Sequence, residues 1–287
     1  MQDFLQFLVA GLTAGAIYAL VALGFGVVHQ TMGIVNFTQV DFVTLGGMLL
    51  YQALNAFGFP MAGALALAVA GAALAGLVVE FLGLRPARTQ SHLVLIFLTI
   101  GLSIILRGLI HLAWGKNYLQ VPPLTGEEPL RLLGAAILPQ HLWIMGLTLA
   151  AILGLVGFFR YTDLGLAMRA VAANENAARV VGLPVGRVKA MSFALAGGLG
   201  GLAGCLITPI TALKYDVGVL LGLKGFAAAI LGGFGSFPGA IVGGVTLGLL
   251  ERMTAAYISS AYKDVIAFLV LLLVLFIRPR GLMGGGA

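Results

Sequence analysis

Four histidines, one cysteine and a Gly-Ser-Phe-Pro-Gly turn are the residues of this chain best suited to covalent or metal chemistry. Their spacing does not assemble them. His29, His92, His111 and His141 lie far apart, near the ends of apolar stretches. No His, Cys or carboxylate cluster has the spacing of a metal site. Cys205 is alone, so a disulfide within the chain is excluded. It sits in an apolar, Gly-rich run and reads as a small packing residue. Gly235-Ser236-Phe237-Pro238-Gly239 resembles a serine-nucleophile turn only superficially, because no base lies near it. Gly115-Lys116-Asn117 lacks the upstream Gly and the following Ser or Thr of a phosphate-binding loop. The chain is therefore expected to hold no catalytic residue, metal or cofactor, and not to bind ATP itself.

A second kind of chemistry is the placing of charge and amide groups in apolar surroundings. Asp41 lies in an otherwise apolar stretch with Asn36 and Gln39 close before it. A carboxylate inside a bilayer is costly, so Asp41 should face the interior of a helix bundle, water, or a partner such as Arg107. Asn36 and Gln39 are one helical turn apart and are expected on one face. They either border a translocation path or brace its broken helix, or they tie helices together by hydrogen bonds. Glu251-Arg252 follows a hydrophobic run and reads as a pair of charges at the outer interface, since adjacent helical residues do not face each other.

The elements that carry these residues are set by composition. Of 287 residues, 60% are hydrophobic and 9% charged. Soluble proteins carry roughly 25% charged residues, and a chain this poor in charge cannot cover a water-facing surface. Glycine, at 42 residues, suits membrane helices that approach closely. The net charge of +6 fits basic loops held on the cytoplasmic side rather than nucleic-acid binding. Met1-Gln2-Asp3 offers no basic region ahead of the first apolar stretch, so that stretch is expected to be a retained helix.

A span needs about 20 apolar residues. Candidate spans lie near 4–28, 33–54, 60–83, 93–113, 141–159, 190–212, 217–235, 237–256 and 263–278. The 217–256 region is broken at Gly232-Gly233-Phe234-Gly235, and such breaks are tolerated where protein or water covers them. The expectation is an all-α, polytopic transmembrane bundle of eight to ten spans, broken or re-entrant helices among them, forming one domain over 1–287. Arg85 and Arg88 in a short loop, the 160–189 segment, and Arg278 with Arg280 mark the cytoplasmic side. The 114–140 loop, with Glu127, Glu128, Pro122, Pro123 and Pro129, should face the other way. Nine crossings would leave the N-terminus outside; eight or ten would put it inside.

The 160–189 insert is rich in Ala, Leu, Met and Arg and reads as helical. Asn174 can cap a second short helix, and Gly182-Leu183-Pro184 stops it. Ala177, Ala178 and Val181 are expected to form an apolar face that docks into a groove on a partner. The alternative is a helix lying on the membrane with Arg169 and Arg179 toward headgroups.

Glu175-x-Ala177-Ala178-x-x-x-Gly182 resembles the E-A-A-x-x-x-G signature of ABC importer permeases, with Asn176 at the first Ala position. Gly33-Ile34-Val35-Asn36-Phe37-Thr38-Gln39-Val40-Asp41-Phe42, Gly165 to Ala170 and Gly225 to Ala240 resemble stretches of branched-chain amino acid permeases of the LivH type. Val40 stands where that family usually has Gly. The resemblance implies that 160–189 is a coupling helix seated in an ATPase, with Arg169, Asn174, Glu175, Ala177, Ala178 and Gly182 at the contact. It implies ATP-binding subunits, a second homologous permease subunit (a heterodimer) or a second copy of this chain, and a periplasmic or extracellular substrate-binding protein. It further implies import of branched-chain or other small apolar amino acids across a prokaryotic inner membrane. The rival expectation is an ion-coupled secondary transporter of small solutes, with Asp41 as its ionisable site.

Overall fold

The computed structural model describes residues 2–87, 91–126, 128–132 and 135–283; Arg88 and Glu127 lie outside the described residues. The described chain is mostly helical. Nine long helices fall on the nine apolar stretches: α1 (Gln2–Met32), α2 (Gln39–Asn55), α3 (Met61–Val78), α4 (His92–Trp114), α5 (Pro139–Tyr161), α8 (Val185–Ile207), α9 (Val217–Gly232), α10 (Phe237–Tyr257) and α11 (Lys263–Ile277). Two short helices, α6 (Asp163–Ala173) and α7 (Glu175–Val180), form the polar insert. A small antiparallel hairpin, β1 (Leu130–Leu132) with β2 (Ala135–Ile137), lies in the 114–140 loop.

Long contacts fix which end of the bundle each helix reaches. Trp114 at the end of α4 donates to Gln52 near the end of α2. Phe7 of α1 stacks on Tyr257 at the end of α10, and His141 at the start of α5 meets Thr13 of α1 at 3.1 Å. These mark one end. At the other, Gln30 of α1 donates to the Gly235 carbonyl, and Arg85 donates to the Gly186 carbonyl at the start of α8. Residues 282 and 283, beyond Arg278 and Arg280, bond the Leu231 and Gly232 carbonyls there. The basic segments expected on one side do gather at one end, and the start of α1 lies at the opposite end.

Among the described residues, five helices are long and apolar enough to cross a membrane, or six if α9 and α10, bent by 119° at their break, count as one broken span. That count falls short of the expected eight to ten. The reason is length: α2 has 17 residues and α11 has 15. The expected 33–54 span is not one helix, because residues 33–38 are irregular and α2 starts only at Gln39.

Helix α1 is buried along most of its length and forms the axis of the bundle. Around it, α3, α4 and α11 turn Leu74, Phe97, Ile105, Leu272 and Phe276 outward. A residue at this exposure is costly against water and neutral against lipid tails. Glycine lets the inner helices touch. Gly15 of α1 lies against Gly244 and Val245 of α10, and Gly248 lies against Gly11 and Gly15. Gly46 of α2 lies against Gly201 of α8 in the same way. A Cβ at these sites would overlap neighbouring backbone, so close packing of the two helices requires glycine there.

Candidate functional site

Three clusters of polar groups interrupt the apolar bundle. The first is the irregular segment before α2. Gly33 turns the chain at φ 68°, a conformation that favours glycine. Asn36 Oδ1 accepts from the Thr38 backbone N–H at 3.1 Å and from its hydroxyl at 2.6 Å, which shapes the turn into α2. Gln39 Nε2 donates to the Ala196 carbonyl on α8 at 3.1 Å, and Gly24 of α1 leaves room for its side chain. Asp41 receives Arg107 Nε of α4 at 2.9 Å and the Ser103 hydroxyl. The partner expected for Asp41 is therefore the one it has.

Asn36, Gln39 and Asp41 are all fully buried. They do not share a face: Asn36 precedes the helix, Gln39 turns to α8 and Asp41 to α4. Asn36 Nδ2 and Gln39 Oε1 are buried with no partner among the described residues. Each such group costs about 1–3 kcal/mol, an unusual expense for two atoms in one turn.

The second cluster was not read from sequence. Lys224, on α9, lies 2.7 Å from Glu251 Oε1 on α10. It is also 2.8 Å from Asp264 of α11, close enough to pair but without hydrogen-bond alignment. Tyr18 of α1 donates to Glu251 Oε2 at 2.6 Å. Four helices meet at this charge group. Glu251 is thus not an interfacial charge: it is 4% exposed, while Arg252 beside it points outward. A lysine in the middle of the apolar 217–232 run was the available signal, because an intramembrane cation demands a counter-charge.

The third cluster is the insert. Thr162 caps α6 by accepting from Gly165 N at 3.0 Å, and Asn174 caps α7 by accepting from Ala177 N at 2.9 Å, as its position suggests. Gly182, at φ 84°, ends α7. Glu175 receives Arg179 at 2.6 Å and Lys189 of α8 at 2.9 Å. Burial pushes the Glu175 carboxyl up, but the hydrogen bonds from Lys189 and Arg179 outweigh it and hold the group below the usual value. Arg169 is exposed. The expected apolar face is divided. Ala178 is buried against the chain's own bundle at 4% exposure, whereas Val180 and Val181 stand out at 88% and 75%. The outward surface of α7 and its end therefore includes Ala177, Val180 and Val181, flanked by Asn176, Arg179 and Gly182.

A charge-poor bundle with inward polar groups and a capped helical insert at one end defines a multi-pass membrane protein. The family described as branched-chain amino acid transport system / permease component matches residues 7–275, and the chain belongs to that family. It is 32% identical to the high-affinity branched-chain amino acid transport system permease protein LivH of Escherichia coli K12, over 98% of this chain and 96% of that protein. It is 31% identical to BraD of Pseudomonas aeruginosa, over 99% and 97%. It is 29% identical to a probable LivH of Methanocaldococcus jannaschii, over 92% and 88%. A solved structure, PsaBC from Streptococcus pneumoniae in complex with Fab, aligns over 96% of this chain and 92% of that one, at 17% identity and a TM-score of 0.49. Membership favours the ATP-driven importer over the ion-coupled secondary transporter.

Proposed function

We propose that this chain is the membrane-spanning permease subunit of an ATP-driven importer that moves branched-chain or other small apolar amino acids across a prokaryotic inner membrane. The observation that carries the reading is the family match over nearly the whole chain together with the exposed α6–α7 insert. ATP chemistry belongs to separate ATP-binding subunits. A substrate-binding protein delivers cargo to the opposite face, and a second permease subunit, homologous or identical, completes the path. In this reading α7 seats in the ATPase through Val180 and Val181. Arg169 and the Glu175 pair orient it, and ATP-driven closure pushes on α6 and α7 and shifts the bundle between its access states.

The turn at Asn36, Gln39 and Asp41 is the proposed hinge of the path. Its two unpartnered buried atoms suit a segment whose partners change when the path opens. The buried carboxylates Asp41 and Glu251 are each committed to a cation, which disfavours a titrating ion-coupling site. Helices α2, α9, α10 and α11 also cross in this reading, the short ones with part of the thickness covered by loops. That makes nine crossings with the N-terminus outside, consistent with opposite ends for the start of α1 and the residues after α11.

Co-purification with the cognate ATPase tests the coupling role. Val180→Asp with Val181→Asp should lose the ATPase and uptake while the permease elutes and melts as wild type. Unchanged ATPase association and uptake would refute it. Uptake of labelled leucine, isoleucine and valine into vesicles holding the whole complex tests the cargo.

A further inference from the structure

A cavity of about 560 Å³ lies between α7 and the end of the bundle. It is large enough for a small organic ligand, since such sites span roughly 300–1,000 Å³. Its charged wall combines Glu175 and Arg179 of α7, Lys189 of α8, and Glu80 and Arg85 from the stretch that follows α3. Its apolar wall is Met32, Leu84, Leu95 and Val185. Three cations face two carboxylates, and His92 completes the rim. A phosphate dianion would confront both carboxylates. A hydrocarbon would waste the charges. A zwitterion with an aliphatic side chain suits all three surfaces.

The backbone at Glu80 is unusual. Val79–Leu84 is a π-helix, with Arg85 N bonding the Glu80 carbonyl five residues back at 2.8 Å. Single π turns cluster at functional sites, because the extra residue redirects side chains. Here the turn carries a 3%-exposed carboxylate that lines the cavity. Its one ion-pair partner among the described residues, Arg85, is 3.2 Å away and 43% exposed. An apolar residue would pack this position at less cost, since a buried charge is favourable only when fully paired.

We propose that this cavity binds a free aliphatic α-amino acid on the insert side, and that its occupancy braces α7 and slows transport. The carboxylate meets Arg85 and shares Arg179 and Lys189 with Glu175, which keeps its tie to both, the ammonium meets Glu80, and the side chain lies on Met32, Leu84, Leu95 and Val185. The proposal rests on the importer reading, since it makes accumulated product the brake. An occupant wedged between α7 and α8 stabilises this arrangement by mass action. At ten times its dissociation constant it lowers the population free to move by about elevenfold.

The test uses the complete complex in proteoliposomes with the ATPases facing the lumen. The lumen holds ATP and graded unlabelled L-leucine; the outside holds binding protein saturated with labelled L-leucine. Initial uptake should fall about tenfold as lumenal L-leucine rises, and should ignore lumenal leucinol, which lacks the carboxylate. Glu80→Gln and Met32→Trp, the second of which fills the cavity, should import but lose this sensitivity. Wild-type uptake that is indifferent to lumenal L-leucine, or full inhibition surviving in both variants, overturns the proposal. Absence of any L-leucine uptake would instead count against the cargo reading. Binding of L-leucine to the full chain in nanodiscs then decides the site: binding that Met32→Trp abolishes supports it, and no binding refutes it.

Discussion

Asp41 and Arg107 show how one ion pair is shared unequally. The Asp41 side chain is 1% exposed and that of Arg107 is 29% exposed. Removing one partner of a buried pair costs about 3–5 kcal/mol, chiefly through the charge left behind. Arg107→Met strands the more buried partner and should be the worse variant. Asp41→Asn leaves an arginine with access to the surface and should lower thermal stability less, and the double variant should recover part of the loss. Melting of the three purified variants in detergent checks the order; equal loss in both single variants would remove this account. Glu175 offers a pH prediction with a definite sign. Its folded value is depressed, so its pairing is complete above the ordinary glutamate value of about 4.3 and is lost as pH falls through the lower folded value. Amide protection over 174–182 should drop in that acid window, and Glu175→Gln should show the lower protection already at neutral pH.

Within the insert, helix α7 is only six residues long and could not persist alone in water. Its Asn174 cap, the Glu175–Lys189 tie to α8 and the burial of Ala178 hold it in place. Those contacts separate two kinds of substitution on one turn. Ala178→Asp should destabilise the insert and lower the yield of folded permease, because it buries a charge without a partner. Val181→Asp, 75% exposed in the wild type, should leave melting unchanged and weaken ATPase retention. Comparing yield, melting and co-purification in the two variants distinguishes a packing residue from a docking one. The Asn174 cap of α7 was legible in sequence because a cap needs only a residue type at one position. The inward turn of Ala178 was not, because it depends on where α8 and the rest of the bundle stand.

For the whole molecule, the α1–α10 seam is decisive. Gly15 lies against Gly244, Gly248 lies against Gly11 and Gly15, and Gly244 lies against Ala19, so the two backbones approach closely. Gly248→Leu should push α10 off the central helix and separate Tyr18 from Glu251, which bond at 2.6 Å across the same seam. We expect a large loss of melting temperature and failure to assemble with partner subunits. A leucine at exposed Gly154, which has open space around it, should do neither. Comparable melting of the two variants would show that the seam is not close-packed.

The sequence by itself determined the solvent, the helices and the insert. Hydropathy sums over twenty residues whatever face they present, so nine apolar stretches and one polar interruption stand out without any knowledge of packing. The tertiary structure decided the partners. Lys224 finds Glu251 and Asp264, Asp41 finds Arg107, and Gln39 turns to α8 while Asn36 stays in a turn. A charge or amide in a low-dielectric interior must be matched, but which group matches it depends on which helix faces meet. Helix position also set the length problem in α2. The break at 33–38 is bonded to Thr99 of α4, and Gln39 just after it to α8, contacts a linear reading has no means to see.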